Sequence, residues 1–213
     1  MRRLLLILLA TGCYMPLSAQ FLKDFWVSMP DSVVSYLTES MRTELLECKE
    51  KHVTASVKNR LEGTTTMDTL TANYLSATLS ESTTMQIRRM PYQEDSVFCV
   101  VTTYLGPVAD SKIAMYTKDW KPMDMKHIFD GKCINCVRKQ LVQKPKEMQP
   151  ERFEEIKQMI DPMLVKVILS LDADELMMEA NTEVLKNEEK KIIDSVISKI
   201  RFIWTGEMFK KVI

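Results

Sequence analysis

The chain has 213 residues, of which 46% are hydrophobic and 27% are charged, and its 29 basic and 29 acidic residues give no formal net charge at pH 7. A chain of this length buries a sizeable core, so we expect a single domain or two small halves packed closely together. The charge balance argues against a nucleic-acid partner, because binding to phosphates requires clustered positive charge.

The first nineteen residues have the three-part layout of a secretory signal peptide. Arg2 and Arg3 form a cationic start, residues 4–10 are an unbroken apolar run, and residues 17–19 are a small-residue exit before Gln20. We therefore expect export and a signal peptide over residues 1–19. The apolar run is much shorter than the roughly 20 residues needed to cross a bilayer, so no transmembrane segment is expected.

A lipid anchor is the second interpretation of this segment. Cys13 follows Leu9-Ala10-Thr11-Gly12, which resembles the lipobox of bacterial lipoproteins, where the cysteine is acylated and becomes the mature N-terminus. Ala10 stands where leucine is preferred, and cleavage before Cys13 would leave an unusually short signal. Cleavage after Ala19 is the preferred interpretation, which places the protein in the periplasm or at the cell surface.

Hydrophobic periodicity predicts the elements of the first half. Pro30-Asp31-Ser32 is a helix-start signal, and apolar residues at spacings of three and four predict a helix over residues 32–50 that covers one side of a sheet. Phe25 and Trp26, in the lead-in before this helix, are expected to pack on the domain. From residue 53 to about residue 120 the apolar period changes to two, with short polar breaks. This pattern predicts an antiparallel meander whose clearest strands are at 53–57, 75–79, 85–87, 98–104 and 112–116.

The second half repeats this kind of pattern at smaller scale. We predict that residues 126–150 connect the two halves. A helix at 151–160 and strands at 164–171, 176–180, 196–204 and 208–212 are predicted to follow. We therefore predict an α+β fold, mainly an antiparallel sheet covered by an N-terminal helix. Its first half spans residues 20–125, and a second, smaller α+β half at 151–213 packs on it. Ser111-Lys112-Ile113 recurs as Ser198-Lys199-Ile200, which leaves a degenerate duplication and chance similarity both open.

The sequence contains 16 methionines, several of which fall at positions where a strand or helix should face inward. Met85, Met115, Met159 and Met177 are examples. Because a flexible thioether fills irregular gaps, we interpret them as ordinary core residues.

A set of strand, turn and packing motifs lies between residues 29 and 120: Met29-Pro30-Asp31, Tyr36-Leu37, Asn59-x-Leu61-x-Gly63, Leu70, Tyr74-Leu75, Ser80-x-Ser82, Met85-Gln86-Ile87, Met90-Pro91, Val101-x-Thr103, Asp110-Ser111-x-Ile113-x-x-Tyr116 and Trp120. In combination these motifs resemble an exported family of Gram-negative anaerobes, known as domain of unknown function 3256. The resemblance implies an envelope or exported location and an α+β body. It supplies no catalytic residues, and the cysteine pair described next is not part of the pattern.

Cys133-Ile134-Asn135-Cys136 is the sharpest local motif in the chain. Two thiols at this spacing form a redox-active disulfide when a helix N-terminus or a nearby cation, such as Lys132 or Arg138, lowers the pKa of one thiol. The sequence does not predict a helix start at Cys133, nor the strand before and long helix after it that are typical of thioredoxin-like units. A structural pair is therefore preferred to a catalytic dithiol.

The other cysteine arrangements are less specific. A zinc site with His127, Cys133 and Cys136 is disfavoured, because structural zinc uses four ligands and a second ligand pair is absent. Cys48 and Cys99 fall on apolar faces, so both a bridge between helix and sheet and two buried free thiols remain open. The four mature cysteines permit three pairings.

Two pairs of carboxylates, Asp172 with Asp174 and Glu154 with Glu155, are interpreted as solvated turn and helix surface. The sequence has no glycine-anchored calcium loop and no nucleophile elbow beside them. We predict neither a metal site nor catalytic residues.

Four tripeptides read aspartate, hydroxyl residue, aliphatic residue, which resembles the sequon for periplasmic O-glycosylation. They are Asp31-Ser32-Val33, Asp68-Thr69-Leu70, Asp95-Ser96-Val97 and Asp194-Ser195-Val196. Thr69 and Ser96 are the better candidates for modification, because we predict them in hairpin connections, whereas the Ser32 hydroxyl is expected to cap a helix. The alternative for every site is an ordinary cap or turn.

The prediction for function follows from export and from the lack of any motif with a defined chemistry. We predict a non-catalytic envelope protein without a cofactor, which binds a protein, peptide or glycan through a sheet face or edge. Two alternatives remain: a thiol-disulfide oxidoreductase using Cys133 and Cys136, and a purely structural envelope protein. Exposure of Cys133 at a helix start would favour the oxidoreductase, and burial of Cys133 away from any cleft would favour a structural role for the cysteine pair.

Overall fold

The structure of the protein is a computed structural model that describes residues 17–181 and 187–212. The helices in these residues are α1 (Leu17–Val27), α2 (Glu39–Glu50), α3 (Met125–Ile128), α4 (Ile134–Lys139), α5 (Pro150–Met159) and α6 (Asn187–Asp194). The strands are β1 (Ser56–Lys58), β2 (Thr64–Leu70), β3 (Tyr74–Ser80), β4 (Thr83–Tyr92), β5 (Asp95–Leu105), β6 (Ala109–Thr117), β7 (Val165–Leu169), β8 (Glu175–Ala180), β9 (Ile200–Trp204) and β10 (Phe209–Lys211).

The strands form two antiparallel sheets. The larger sheet has six strands in chain order, β1 to β6, and the smaller has four in the order β10-β9-β8-β7. The α+β class with mainly antiparallel sheet is thus confirmed. β2 was not predicted as a strand, because its sequence Thr-Thr-Thr-Met-Asp-Thr-Leu has few apolar residues. Its pairing with β1 on one side and β3 on the other decides its conformation.

The first helices cover one face of the six-stranded sheet. Phe25 of α1 stacks on Phe98 of β5 and on Trp120, with ring centroids 3.8 and 3.9 Å apart. The Trp120 indole donates a 2.9 Å hydrogen bond to the Phe25 carbonyl, and Leu45 of α2 is fully buried in the same cluster. α1 begins at Leu17, within the segment predicted as a signal peptide, whereas residues 1–16, including Cys13, lie outside the described residues.

The helix predicted over residues 32–50 corresponds to α2. Its predicted start at Ser32 is wrong, because α2 begins seven residues later, at Glu39. Thr38 is its N-cap and accepts a hydrogen bond from the Met41 amide at 3.3 Å. The residues before it form tight turns instead, such as the one closed by the Val33 amide on the Pro30 carbonyl at 2.9 Å. The helical spacing of apolar residues before residue 38 therefore came from turns.

β5 shows how the larger sheet separates two cores. Its odd-numbered Cys99 and Val101 belong to the cluster shared with the four-stranded sheet, whereas Phe98 and Val100 belong to the cluster beneath α1 and α2. The strand is therefore buried on both faces. A third, smaller cluster joins α5 and α6 around Ile156 and Ile193.

The smaller sheet meets the larger one through the edge of β7. The amide of Val165 donates to Asp110 Oδ1 at 2.9 Å, that of Val167 to Ser111 Oγ at 3.0 Å, and that of Leu169 to Gln86 Oε1 at 2.8 Å. Side chains of β4 and β6 thus replace a neighbouring strand along this edge. Among the described residues, no helix is long and apolar enough to cross a membrane.

Candidate functional site

Cys133 and Cys136 form a disulfide at the start of α4. Cys133 is the N-cap of this helix, its Sγ accepts the Cys136 amide at 3.1 Å, and Cys136 is exposed while Cys133 is half-buried. The prediction that a helix-start setting is lacking is therefore wrong. The six-residue α4 escaped the sequence analysis because its one buried residue, Val137, gives no periodicity.

The disulfide also bears on the zinc site and on the pairing of the other two cysteines. With both sulfurs bonded to each other, neither is a thiolate for the disfavoured zinc site with His127. Among residues 17–181 and 187–212, no group of three or more His, Cys, Asp or Glu side chains is placed to hold a metal ion. Cys48 and Cys99 are free thiols in the cores on opposite sides of the larger sheet, and burial raises the pKa of Cys99 to about 12.

The two candidate glycosylation residues do not lie in hairpin connections, so that expectation is wrong. Thr69 belongs to β2 and Ser96 is the second residue of β5, and both are half-buried. Each lies within two residues of a strand end, since strand pairing extends further toward the turns than the apolar pattern does. Ser32 is exposed in a turn and caps no helix.

The carboxylate pair at the β7–β8 turn is divided between two environments. Asp172 is exposed, as predicted for a solvated turn, but Asp174 accepts a 2.8 Å hydrogen bond from the buried Arg88 Nε. The interpretation of Asp174 as solvated surface is therefore wrong. Its partner lies 86 residues away and has no signal in the sequence near residue 174.

The sheet edges offer little backbone to a partner strand. β1 and β10 have only three residues each. On β6, the carbonyls of Ala109, Ser111 and Met115 accept hydrogen bonds from Asn181, Arg138 and the Met123 amide, respectively. On β7, the amides of Val165, Val167 and Leu169 already donate to side chains of β4 and β6. Addition of a strand to either sheet is therefore disfavoured, and binding of a partner to a sheet face is favoured instead.

One of those faces is uncovered among the described residues: the outward side of the four-stranded sheet, which we call the open face. Its apolar residues are Ile168, Met177 and Ile203, which are 36%, 36% and 38% exposed. Ile168 pairs directly with Met177, and Ile203 is the diagonal neighbour of Met177 on the next strand. The three side chains therefore form one diagonal apolar stripe.

Charged side chains surround this stripe, with an excess of cations. Glu179 and Lys199 pair at 2.6 Å, and Glu175 and Arg201 at 3.7 Å. Lys166 and Lys210 lie on the same face and have no ion-pair partner among the described residues. The open face thus combines an apolar centre with two unpaired positive charges.

The apolar pattern of the sequence did not predict the open face. Met177 was predicted to face inward, but it and Met159 are exposed, whereas Met85 and Met115 are buried as predicted. Alternation places Leu176 and Met178 inward and therefore Met177 outward. That signal was present, but sequence alone does not tell whether a helix covers the outward side.

Comparisons with known proteins give a family and a fold. The family model described as "Protein of unknown function (DUF3256)" matches residues 14–209. A solved structure, "Structure of a domain of an uncharacterized protein from Porphyromonas gingivalis W83", is similar with a TM-score of 0.75 and 28% sequence identity. The match covers 91% of this chain and 98% of that one. No curated protein matches this chain.

Proposed function

We propose that this chain, which belongs to the DUF3256 family, is an exported, non-catalytic binding protein whose open face docks an amphipathic helix of a partner protein. The observation that carries the proposal is the apolar stripe of Ile168, Met177 and Ile203, exposed at the centre of a sheet face. Exposed apolar patches rimmed by polar residues are typical of interaction surfaces. The signal-like pattern of residues 1–19 and the disulfide support export, since disulfides persist in oxidising compartments.

The kind of partner follows from a comparison of the two sheets. On the larger sheet, the face turned away from the smaller sheet is packed by α1 and α2. The corresponding face of the smaller sheet has no such cover in the described chain, and a helix is the element that fits a flat sheet face. The unpaired Lys166 and Lys210 favour carboxylates beside the apolar stripe of that helix. A second copy of this chain fits less well, because it would bring the same excess cations to the interface.

Site-specific photo-crosslinking tests this proposal. A benzophenone amino acid replaces Ile203, and the same replacement at Leu61, a 69% exposed residue next to β1, serves as the matched control. After irradiation of the native envelope, we expect a discrete protein adduct at position 203 but not at 61. Mass spectrometry should place the crosslink in an acidic, amphipathic helical segment.

A charge-reversal variant separates specific docking from proximity. Combining Lys210→Glu with Lys166→Gln, which avoids a second carboxylate directly opposite Glu179, should lower the adduct yield at position 203 at least fivefold without altering the fold, since Lys210 is exposed and Lys166 half-exposed. An adduct yield at 203 that is no greater than at 61, or that is insensitive to charge reversal, would contradict the proposal. So would an adduct to lipid or to a second copy.

The cysteine pair supports a second candidate function, thiol-disulfide exchange. A helix start lowers the pKa of a cysteine beside it, and the Cys136 amide already points at Cys133 Sγ. A substrate thiolate would attack the more exposed Cys136 sulfur, forming a mixed disulfide and releasing Cys133 as the thiolate. A second substrate thiol would then displace Cys136, which leaves the substrate oxidised and the pair reduced.

The leaving thiolate gives this alternative a direct test. In the reduced protein, Cys133 should show a pKa clearly below the roughly 8.5 of a free cysteine when alkylation rate is followed against pH. Cys133→Ser and Cys136→Ser each remove oxidation of a dithiol peptide. An ordinary Cys133 pKa together with no peptide oxidation would assign the pair a structural role.

A further inference from the structure

A groove of about 390 Å³ lies on the larger sheet, on the face that carries α1 and α2 but beyond the area they cover. We call it the β5–β6 groove. Thr102 and Ala114 form its floor, Ser32 of the turn before α2 forms one side, and Tyr104, Tyr116 and Lys112 complete its polar lining. Its volume falls within the roughly 300–1,000 Å³ typical of small-molecule sites.

The polar side-chain groups of this groove have no hydrogen-bond or ion-pair partner in the described chain. The hydroxyls of Ser32, Thr102, Tyr104 and Tyr116 make no hydrogen bond there, and Lys112 Nζ makes no hydrogen bond or ion pair. Ser32, Tyr104 and Lys112 are exposed residues, and neither the Thr102 nor the Tyr116 hydroxyl is a buried atom without a partner, so these groups reach solvent. On the opposite face of the same two strands, the hydroxyls of Thr103 and Ser111 hydrogen-bond to each other at 2.8 Å.

The charge of the groove indicates an anionic ligand. Lys112 is the one charged residue among those that line it, and no carboxylate is present to neutralise it. An unpaired ammonium beside a partly enclosed surface attracts a carboxylate more strongly than one in open water does.

The shape of the groove and its hydroxyls favour a saccharide over a peptide. The floor is a strand face, and Thr102 is paired with Lys112 in the ladder between β5 and β6, so the backbone is not free to bind an extended peptide. Four hydroxyls instead match the alternating donors and acceptors of sugar hydroxyls. Tyr104, 52% exposed at the rim, presents a ring on which the apolar face of a pyranose packs.

We propose that the β5–β6 groove binds an acidic saccharide, with a uronic acid carboxylate on Lys112 Nζ and a sugar ring against Tyr104. The groove and the open face lie on different sheets, so this proposal is independent of the helix-docking function. It adds a ligand site to a protein for which the family description assigns none.

Titration of the isotope-labelled protein with digalacturonate, followed by NMR, tests this proposal. We expect the Thr102 and Ala114 resonances to shift, and the neutral disaccharide galactobiose to bind at least tenfold more weakly. Lys112→Gln and Tyr104→Ala should each weaken digalacturonate binding at least tenfold. Lys126→Gln, which removes an exposed cation on α3, is the matched control and should change nothing.

Several results would overturn the proposal. They are no shifts with digalacturonate, equal binding of the neutral disaccharide, shifts confined to other surfaces, and unchanged binding by Lys112→Gln. A tetrapeptide with a free carboxylate provides the last arm of the test. If it shifts the groove resonances while digalacturonate does not, the site takes peptide termini and the saccharide proposal fails.

Discussion

Arg88 joins the two sheets through a single side chain. It is 4% exposed, and its Nε donates to Asp174 while Nη1 donates to the carbonyls of Ser170 and Leu171, both at 2.9 Å. A buried guanidinium is stable only when its donors are satisfied, and here the β7–β8 turn provides all three acceptors. Arg88 therefore fixes this turn against β4.

Replacement of Arg88 by methionine should lower the free energy of unfolding by about 3–5 kcal/mol, because Asp174 and two carbonyls lose their donor in a largely buried site. Arg201→Met is the matched control. Its ion pair with Glu175 spans 3.7 Å at the surface, so the expected cost is under about 1 kcal/mol. Urea denaturation measures both costs, and equal costs would show that Arg88 has no special role.

Cys99 should make the free energy of unfolding depend on pH in the alkaline range. Burial raises its pKa from 9.0 to about 12, so the unfolded chain releases the thiol proton first. The stability that the buried, protonated thiol contributes is fully present below pH 9 and is lost as the pH rises toward 12. Within that window the free energy of unfolding should fall by about 1.4 kcal/mol per pH unit more than in Cys99→Ala. Parallel pH slopes for the two proteins would contradict the prediction.

At the scale of elements, β7 depends on side chains for its edge hydrogen bonds. Ser111 is fully buried and accepts the Val167 amide. Ser111→Ala should destabilise the protein by about 1–3 kcal/mol, because that amide is left buried without an acceptor. Hydrogen exchange of the Val167 amide should accelerate accordingly. The exposed Ser56 in β1 provides the control, since Ser56→Ala should cost within about 0.5 kcal/mol. Unchanged exchange at Val167 in the Ser111 variant would rule out the capping role.

The sequence predicted the elements whose apolar pattern matches their burial. β3 and β8 were found because inward residues alternate along them, and β5 because its apolar residues form a nearly continuous run that is buried on both faces. The polar β2 was missed because its pairing defines it. α2 was extended too far because Val33 and Tyr36 imitate helical spacing from within turns.

The candidate sites were only partly accessible to sequence reasoning. Spacing alone identified Cys133 and Cys136, but not the helix that Cys133 caps. The open face and the β5–β6 groove both depend on where helices stop covering a sheet. That boundary is set by contacts between distant segments, such as Phe25 with Trp120, and such contacts leave no local pattern.

At the scale of the whole molecule, the two sheets share a hydrophobic core. Val97, Cys99 and Met115 of the larger sheet lie in the same cluster as Val167, Met178 and Phe202 of the smaller one. The Trp204 indole also donates a 2.6 Å hydrogen bond to the Pro91 carbonyl across the two sheets. Neither sheet buries this surface without the other, so the described residues should unfold together.

Fluorine NMR of protein labelled at its three tryptophans tests whether the molecule unfolds cooperatively. Trp26 and Trp120 report on the core beneath α1 and α2, and Trp204 on the core between the sheets. All three native resonances should disappear at the same urea concentration. Phe129, which contacts Phe202 edge-on with centroids 5.5 Å apart, provides the perturbation.

Phe129→Ala should cost about 3–5 kcal/mol, because it opens a cavity in the core between the sheets. In a cooperative molecule that loss moves the midpoints of Trp26 and Trp120 to lower urea together with that of Trp204, although neither residue lies in the cluster of Phe129. In a molecule with two independently stable halves, the Trp204 midpoint would move alone. Separate midpoints in the unmodified protein would refute a common core at once, since the two sheets would then melt as separate units.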